Sequence, residues 1–591
     1  MVENAVECDV LVVGGGGAGL RAAIAARQQG AKTLLVNKGT HGKSGATAMA
    51  GADLTADGRS LRRLGFFGEP RDTPEHFFLD ILHQGFYLNN QKLLEIYIRD
   101  AGDRLGELLD WGMPVERSDE RAIFTSGPAI SRALVQWAKA VGIEVASDVM
   151  TLELITKDGR ATGALGLDLI SGELVHFKAR AVVLATGGWH KAFYPTTGPR
   201  DLSGEGVAMA YRAGAALANM EFITFCCNVI LWPPIWQGSP FAYALIMLFG
   251  GKLTNKQGDT FLDAYDPDVV RIGMSSEWNK CFISWASQRE VQEGRGSPHG
   301  GIYLDNGDTP LEVFDRRVRA VFPGWRYHAT DFAPMAAMLR KAERIEVGPA
   351  AEYFEGGIAV DEGYGTSIEG LYAAGECATS PFGANRVVAA TTEMLVSGAL
   401  AGSRAAQYAL GTRLTREPKG DLAGLQAEIL RPLESGGGVR PAEVRNQVQR
   451  LAHSHLGPIR TKDQLEELAS FLEGIQKEKL PALSTTSKNR CYNKEWVDAL
   501  ELKNMVQLLE LSARAALMRT ESRGVHYRSD FPYTDNDHWL QEIVARKQED
   551  CVEWTSRPVV ATRLLPGPGT KPYMDMLKEM MLARSVVSGP H

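Results

Sequence analysis

The strongest constraint on this 591-residue chain lies at its start. Cys8–Val13 is an apolar run of strand type. It passes straight into Gly14-Gly15-Gly16-Gly17-Ala18-Gly19 and then LRAAIAARQQG, with small and apolar residues at helical spacing. Gly14, Gly16 and Gly19 stand as GxGxxG between a strand and a helix, the signature of a Rossmann-like dinucleotide-binding unit. The first glycine makes the turn, the second lets backbone approach a pyrophosphate, and the third lets helix pack on strand. Gly17 and Ala18 open the helix, whose amides and partial positive charge favour phosphate. A second strand, Lys32–Val36, leads to Asn37 and Lys38, with Asn37 where an acidic ribose ligand is usual.

The following loop, Gly39–Gly51, is too long for a simple strand-to-helix turn. Its Lys43, Ser44, Gly45, Ala46, Thr47 and Gly51 suit a segment wrapped around a bulky, extended cofactor. Two further apolar strands end in glycine: Ala181–Gly188, closing on Ala185-Thr186-Gly187-Gly188, and Gly370–Glu376, closing on Gly375-Glu376. Repeated returns to one dinucleotide fit FAD better than NAD. Glu376 is placed to accept a ribityl hydroxyl hydrogen bond. Thr391–Leu410 reads as a helix with Thr391 or Thr392 as cap, its positive end aimed at the flavin.

Net charge is −7, which gives no footprint for nucleic acid, and no run approaches the ~20 apolar residues of a membrane helix. The N-terminus runs into a strand without a removable segment, so a cytoplasmic setting is expected. Seven cysteines form no CxxC and no cluster, which argues against a disulfide framework or a metal or iron–sulfur site in the chain. His299 and His328 lack partners at metal-binding spacing, so no metal is expected.

VLVVGGGGAGLRAA, KSGATAMAG, VVLATGG, SGEGVAMAYRAGAALANMEF, GLYAAGEC and GANR together resemble the flavoprotein subunit family of succinate dehydrogenase and fumarate reductase. That family also holds L-aspartate oxidase and the adenylylsulfate reductase flavoprotein. Tyr492–Pro532 is similar to its helical domain. The resemblance implies an α/β fold: a Rossmann-like FAD domain (1–230 and 345–412), an inserted α+β capping domain (231–344), a C-terminal helical domain (413–545) and an extension (546–591). It also implies that Val149, Glu205 and Tyr353 line the cofactor site. The extension is expected as an arm over the surface or onto a partner. The charged stretch Arg519–Arg528 is expected either near an iron–sulfur partner interface or as a salt-bridged helix surface.

Against the family pattern, the active-site positions are rewritten. Gly45 stands where a covalently tethering histidine occurs, and His41 lies four residues upstream, so noncovalent FAD is expected. Cys226 replaces a histidine after MEF. Where the family has His-Tyr before Met-Gly-Gly, this chain reads Glu352-Tyr353-Phe354-Glu355-Gly356-Gly357. The Thr-Glu of the cap loop is replaced by the apolar Ala244–Gly251, and the proton-donating cap arginine falls at Lys280. The arginine of GANR, Arg386, is retained, with Phe382 before Gly383 in place of His. Losing one partner of a desolvated charged contact costs about 2–5 kcal/mol, so plain succinate or fumarate is not the expected substrate.

The implied chemistry is hydride transfer between flavin N5 and a carbon substrate, a desaturation or double-bond reduction beside a carboxyl- or thioester-type group. Arg386 would orient that group. Lys280 and Glu352 would be the proton-transfer candidates, or a buried ion pair, with Glu352 as base or as counter-ion to Lys280 or Arg386. Cys226 is a redox thiol or a packing residue. A separate iron–sulfur electron-transfer subunit is the expected partner. Two rivals stand: sulfur chemistry of the adenylylsulfate reductase kind, and a flavin electron-transfer subunit whose substrate pocket has degenerated.

Overall fold

The computed structural model describes residues 4–51, 53–239, 251–273, 280–305, 310, 312–313, 316, 344–386, 390–414, 422–549 and 551–583. The apolar cap segment 244–250 and His328 lie outside them.

The architecture is α/β, organised by one seven-stranded sheet. Its parallel part runs Glu144–Ser147, Thr33–Asn37, Asn4–Val13, Leu174–Leu184, and Leu371–Ala373 pairs in parallel on the last of these. Arg160–Asp168 and Val149–Lys157 extend the sheet antiparallel. The register brings Val13, Leu184 and Ala373 level with one another. Three strand ends scattered over some 360 residues therefore finish at one edge, where Gly14, Ala185–Gly187 and Gly375 follow them. This is the carboxyl edge at which open α/β sheets bind ligands.

Helix Gly17–Gln28 covers this sheet, almost wholly buried. Helix Ala390–Leu410, from beyond the cap, packs against it at close range. A Cβ on Gly402 would stand 2.1 Å from Ala22 O, and one on Gly398 2.6 Å from Ala18 O. Small residues on both helices permit that approach, so the chain must return after residue 344 to complete the first domain.

The capping region carries a four-stranded antiparallel sheet: Ile223–Trp232, Ile345–Phe354, Ile302–Asp305 and Lys252–Thr254. Its first two strands are continuous with the cofactor domain, and helix Lys280–Gln292 lies across them. The long helix Lys494–Met518 anchors the helical region. Strand Gln541–Gln548 runs through the expected junction at 545/546 and forms a hairpin with Cys551–Pro558; the hairpin adds to Leu217–Ala218 of the cofactor domain.

The extension lies on the chain itself. Gln91 accepts from the amides of Thr562, Arg563 and Leu564. Helix Tyr573–Leu582 buries Tyr573, Met576, Leu577, Met580 and Met581. Arg519, Arg523 and Arg528 are fully buried rather than on a helix surface, with Arg519 donating to Glu221 at 2.7 Å and Arg523 to Glu521 at 2.9 Å. Among the described residues no helix is long and apolar enough to cross a membrane.

Candidate active site

A cavity of about 450 Å³ runs along the glycine edge of the sheet and ends beneath the cap. Its nucleotide end is built from backbone. Gly14 has φ +115°, and a Cβ there would meet Ala185 O at 2.2 Å; a Cβ on Gly19 would meet Gly14 O at 1.7 Å. Both glycines are demanded by the protein's own packing. Gly16 and Gly45 differ. A Cβ on Gly16 would find nothing nearer than 3.6 Å, and one on Gly45 nothing within 4 Å. Protein packing leaves these two open toward the cavity. The N-cap residue of helix Gly17–Gln28 is Gly16, which has no side chain to cap it; apart from Gly17 N, which donates to Thr47, the opening amides of the helix suit phosphate.

Side chains pin this backbone in place. Asn37 accepts from Gly15 N at 3.0 Å and donates to Gly39 O and to Ser44 Oγ. Its role here is to tie the glycine turn to the following loop. Thr47 Oγ1 accepts from Gly17 N at 2.9 Å, and Asp201 accepts from Gly45 N at 3.0 Å. Glu376 accepts from Gly188 N at 3.0 Å. Lys38 pairs with Glu205 and Glu501; burial works against its charge, but these carboxylates hold the ammonium above its ordinary value. Glu205 thus reaches the cavity wall already committed to Lys38.

The substrate end is built from buried ion pairs. Lys280, at the start of its helix, donates to Glu352 Oε2 at 2.7 Å. Arg386 donates from Nε to Glu355 Oε2 at 3.2 Å and from its backbone N to Oε1 at 3.1 Å. Thr224 Oγ1 donates to Glu355 Oε1 at 2.9 Å. Burial pushes the Glu355 carboxyl up, with Arg386 first among the groups pulling it back. Burial also opposes the Arg386 charge, yet Glu355, Glu376 and Glu393 hold the guanidinium above its ordinary value. Among the described residues, Arg386 Nη2 is buried with no hydrogen-bond partner. The Tyr353 ring lies 5.4 Å from Lys280 Nζ and 5.9 Å from the Arg386 guanidinium, so one ring lies against both cations.

All four sequence-derived catalytic candidates, Arg386, Lys280, Glu352 and Cys226, line the cavity. Cys226 packs with Val229 and Ala350; burial first, then the Glu352 carboxylate, pushes its thiol well above the ordinary value. A thiol so held is neutral, which favours packing over redox chemistry. Of the cofactor candidates, Gly14, Gly16, Gly17, Ala18, Asn37, Lys38, Ser44, Gly45, Ala46, Thr47, Gly51, Val149, Ala185, Thr186, Gly187, Glu205, Tyr353, Gly375, Glu376 and Thr391 also line it.

Gly19, Lys43, Gly188 and Thr392 do not line the cavity. Gly19 seats the helix on the turn. Gly188 packs against Phe354 and Glu376. Thr392, fully buried, accepts from Thr55 N at 2.8 Å, so its hydroxyl joins two elements instead of capping toward a ligand. Phe382 is buried behind the wall, 5.3 Å from the Arg386 guanidinium. His41 is outside the lining, bonded to Ser147.

Sequence reasoning missed His190, Asp201 and the role of Glu355. His190 Nε2 bonds to Glu352 O at 2.8 Å, and its Nδ1 is buried without a partner among the described residues. Its position two residues past Gly188 was the signal that could have found it. Asp201 carries none that local sequence would reveal.

Glycine turns at three strand ends, a glycine-capped helix start and two open glycines fit an extended dinucleotide, and with a buried cationic end beneath a cap they define a dinucleotide-dependent oxidoreductase. An FAD binding domain model matches residues 9–124 and 117–391, and a fumarate reductase flavoprotein C-terminal model matches 445–573. The chain is 30% identical over 566 residues to one subunit of the fumarate reductase (CoM/CoB) of Methanothermobacter marburgensis, covering 93% of this chain and 98% of that protein. Among solved structures it is similar to Mycobacterium smegmatis Sdh1 (31% identity, TM-score 0.83, 95% of this chain and 96% of that one). It is also similar to a mutant of E. coli quinol fumarate reductase FrdA (25% identity, TM-score 0.83, 95% and 98%). The chain belongs to the succinate dehydrogenase/fumarate reductase flavoprotein family, and its cofactor is FAD.

Proposed function

We propose that this flavoprotein interconverts a saturated and an unsaturated carbon–carbon bond adjacent to a carbonyl-type group, as the flavin subunit of a larger electron-transfer assembly. The observation that carries this is the placement of Arg386 and the Lys280–Glu352 pair along one cavity with the glycine edge. Bound FAD supplies two-electron hydride chemistry at a carbon centre. Gly14–Gly19, Thr47 and Asn37 would hold the dinucleotide, noncovalently, since Gly45 has no side chain to tether it. Arg386 would orient and polarise the substrate carbonyl. In the reducing direction Lys280 Nζ would deliver a proton to the carbon next to that carbonyl, and Glu352 Oε2, 2.7 Å away, would hold the ammonium in place. In the oxidising direction the neutral amine would take that proton.

The relatives named above as fumarate reductases, one of them by a single subunit, support this class of chemistry and an electron-transfer partner, which we propose to be an iron–sulfur protein. Adenylylsulfate-type chemistry is less favoured, because it needs unpaired basic residues and the two substrate-end cations among the described residues already contact carboxylates. Single-turnover kinetics of Lys280→Met test the assignment. Loss of a general acid slows the proton-coupled step by about 10²–10⁴-fold while ligand affinity stays near wild type. An unchanged rate would remove Lys280 from the mechanism.

A further inference from the structure

Glu355 stands at the position where the family carries the methionine of Met-Gly-Gly, and it is 1% exposed against an Arg386 that is 2% exposed. Its two oxygens accept from Arg386 Nε and from Arg386 N, groups that can only donate, and the Thr224 and Ser380 hydroxyls donate at 2.9 and 3.5 Å. Four donors converge on one side chain, which is the environment of a carboxylate. Lys280, the second cation at this end, is met by Glu352. Glu376 and Glu393 face Arg386 from further away. Among the described residues at the substrate end, two cations are thus surrounded by four acidic side chains. Arg117 also lines the cavity, but it is exposed on the outer wall, stacked 3.8 Å over the Phe124 ring, where water screens it.

A carboxylate entering this site would add a like charge to a desolvated region whose positive charge, among the described residues, is already answered. Of the five guanidinium N–H groups, Nε–H is committed to Glu355, so the edge that carries it is not free for a bidentate carboxylate. Nη2 is buried without a partner among the described residues.

We infer that the activating group of the substrate is an uncharged conjugated carbonyl, a thioester, ester, amide or ketone, and that Glu355 is the specificity-determining residue that rejects the free acid. This rests on Arg386 being the substrate-orienting group proposed above. Glu355 acts through Arg386: it supplies the counter-charge, so that the guanidinium recognises a dipole instead of an anion.

The test is equilibrium binding to the oxidised, FAD-loaded protein, read by perturbation of the flavin absorbance, with matched acid and amide pairs from acrylate/acrylamide to cinnamate/cinnamamide. In the wild type the amide of a binding pair is expected to bind at least tenfold tighter than the acid. Glu355→Gln keeps the shape and removes the charge. It is expected to tighten the acid at least tenfold, move the amide less than threefold, and so erase or reverse the preference. A purely structural role for Glu355 would weaken both ligands together.

Tighter acid binding by the wild type, an acid-to-amide ratio unchanged in Glu355→Gln, or failure of every pair to bind would overturn the inference. The wild-type ratio stands alone if the variant does not load FAD. Binding needs no turnover, so the two proposals fail separately. A reversed ratio with intact turnover sinks the uncharged-substrate inference; an intact ratio without turnover sinks the proposed reaction.

Discussion

The two ends of the cavity are built by opposite means. The nucleotide end uses backbone: a glycine turn, a glycine-capped helix start, and short polar side chains such as Asn37 and Thr47 that brace it. The charges near it, Lys38 with Glu205 and Glu501, are locked to one another. The substrate end uses charged side chains in buried pairs, Lys280–Glu352 and Arg386–Glu355. A backbone cradle tolerates no side chain but demands little else, so it recurs wherever the dinucleotide does. Buried ion pairs can be re-specified residue by residue, and the proposed specificity of this chain rests on them.

Breaking the backbone end has the largest expected effect. Gly14→Val places a branched side chain at φ +115° with its Cβ 2.2 Å from Ala185 O. The purified protein is expected to carry no FAD, measured as flavin absorbance per protein, or to fail to accumulate in soluble form.

The substrate end responds differently. Arg386→Met leaves Glu355 buried and unpaired, which costs about 3–5 kcal/mol in a denaturation experiment and abolishes reoxidation by substrate. The double variant Glu355→Met/Arg386→Met removes both charges, so most of the stability is expected to return while activity does not. Recovery of activity in the double variant would show that Arg386 only balances Glu355.

Behind the nucleotide end, Asp498 contacts Lys191 at 2.7 Å and also Lys494. Burial pushes its carboxyl up, but these lysines pull it from 3.8 to about 2. A folded-state value below the unfolded one means the stabilisation is present above pH 4 and is lost as pH falls toward 2. Asp498→Asn is therefore expected to be about 1 kcal/mol less stable than wild type near neutrality, allowing for solvent screening, with the gap closing across that window in urea titrations at stepped pH. The smallest effect belongs to His41, which lies outside the cavity lining and bonds to Ser147. His41→Ala is expected to leave flavin content unchanged, and acid precipitation should release all flavin from wild type and variant alike.

The same contrast decides what was legible in the sequence. GxGxxG is local: strand, turn and helix are contiguous, and the steric need for glycine is written into a few consecutive residues. The returns at Thr186–Gly187 and Gly375 were legible because each repeats a strand-to-glycine signal, although only the sheet register shows that Val13, Leu184 and Ala373 end level. The ion pairs were not. Lys280 and Glu352 are 72 residues apart, and Arg386 and Glu355 are 31 apart. Read from sequence, Glu352 has two possible cations; the fold pairs it with Lys280 and gives Arg386 to Glu355. Thr392 misled because a threonine at a helix start looks like a cap whichever way its hydroxyl points. The clustered arginines of Arg519–Arg528 read as surface because charge ordinarily is, yet Glu221 and Glu521 allow them to be buried.

The proposed chemistry is tested most directly by anaerobic reoxidation. The FAD-loaded protein is reduced by a photochemical donor and mixed in a stopped-flow instrument with aryl and alicyclic enoyl thioesters and amides, fumarate and adenylylsulfate. Rapid reoxidation is expected from an enoyl compound with an uncharged carbonyl, lost in Arg386→Ala, and none from fumarate or adenylylsulfate. Silence across the enoyl compounds, together with fast electron exchange to an iron–sulfur carrier, would contradict the assignment and leave an electron relay.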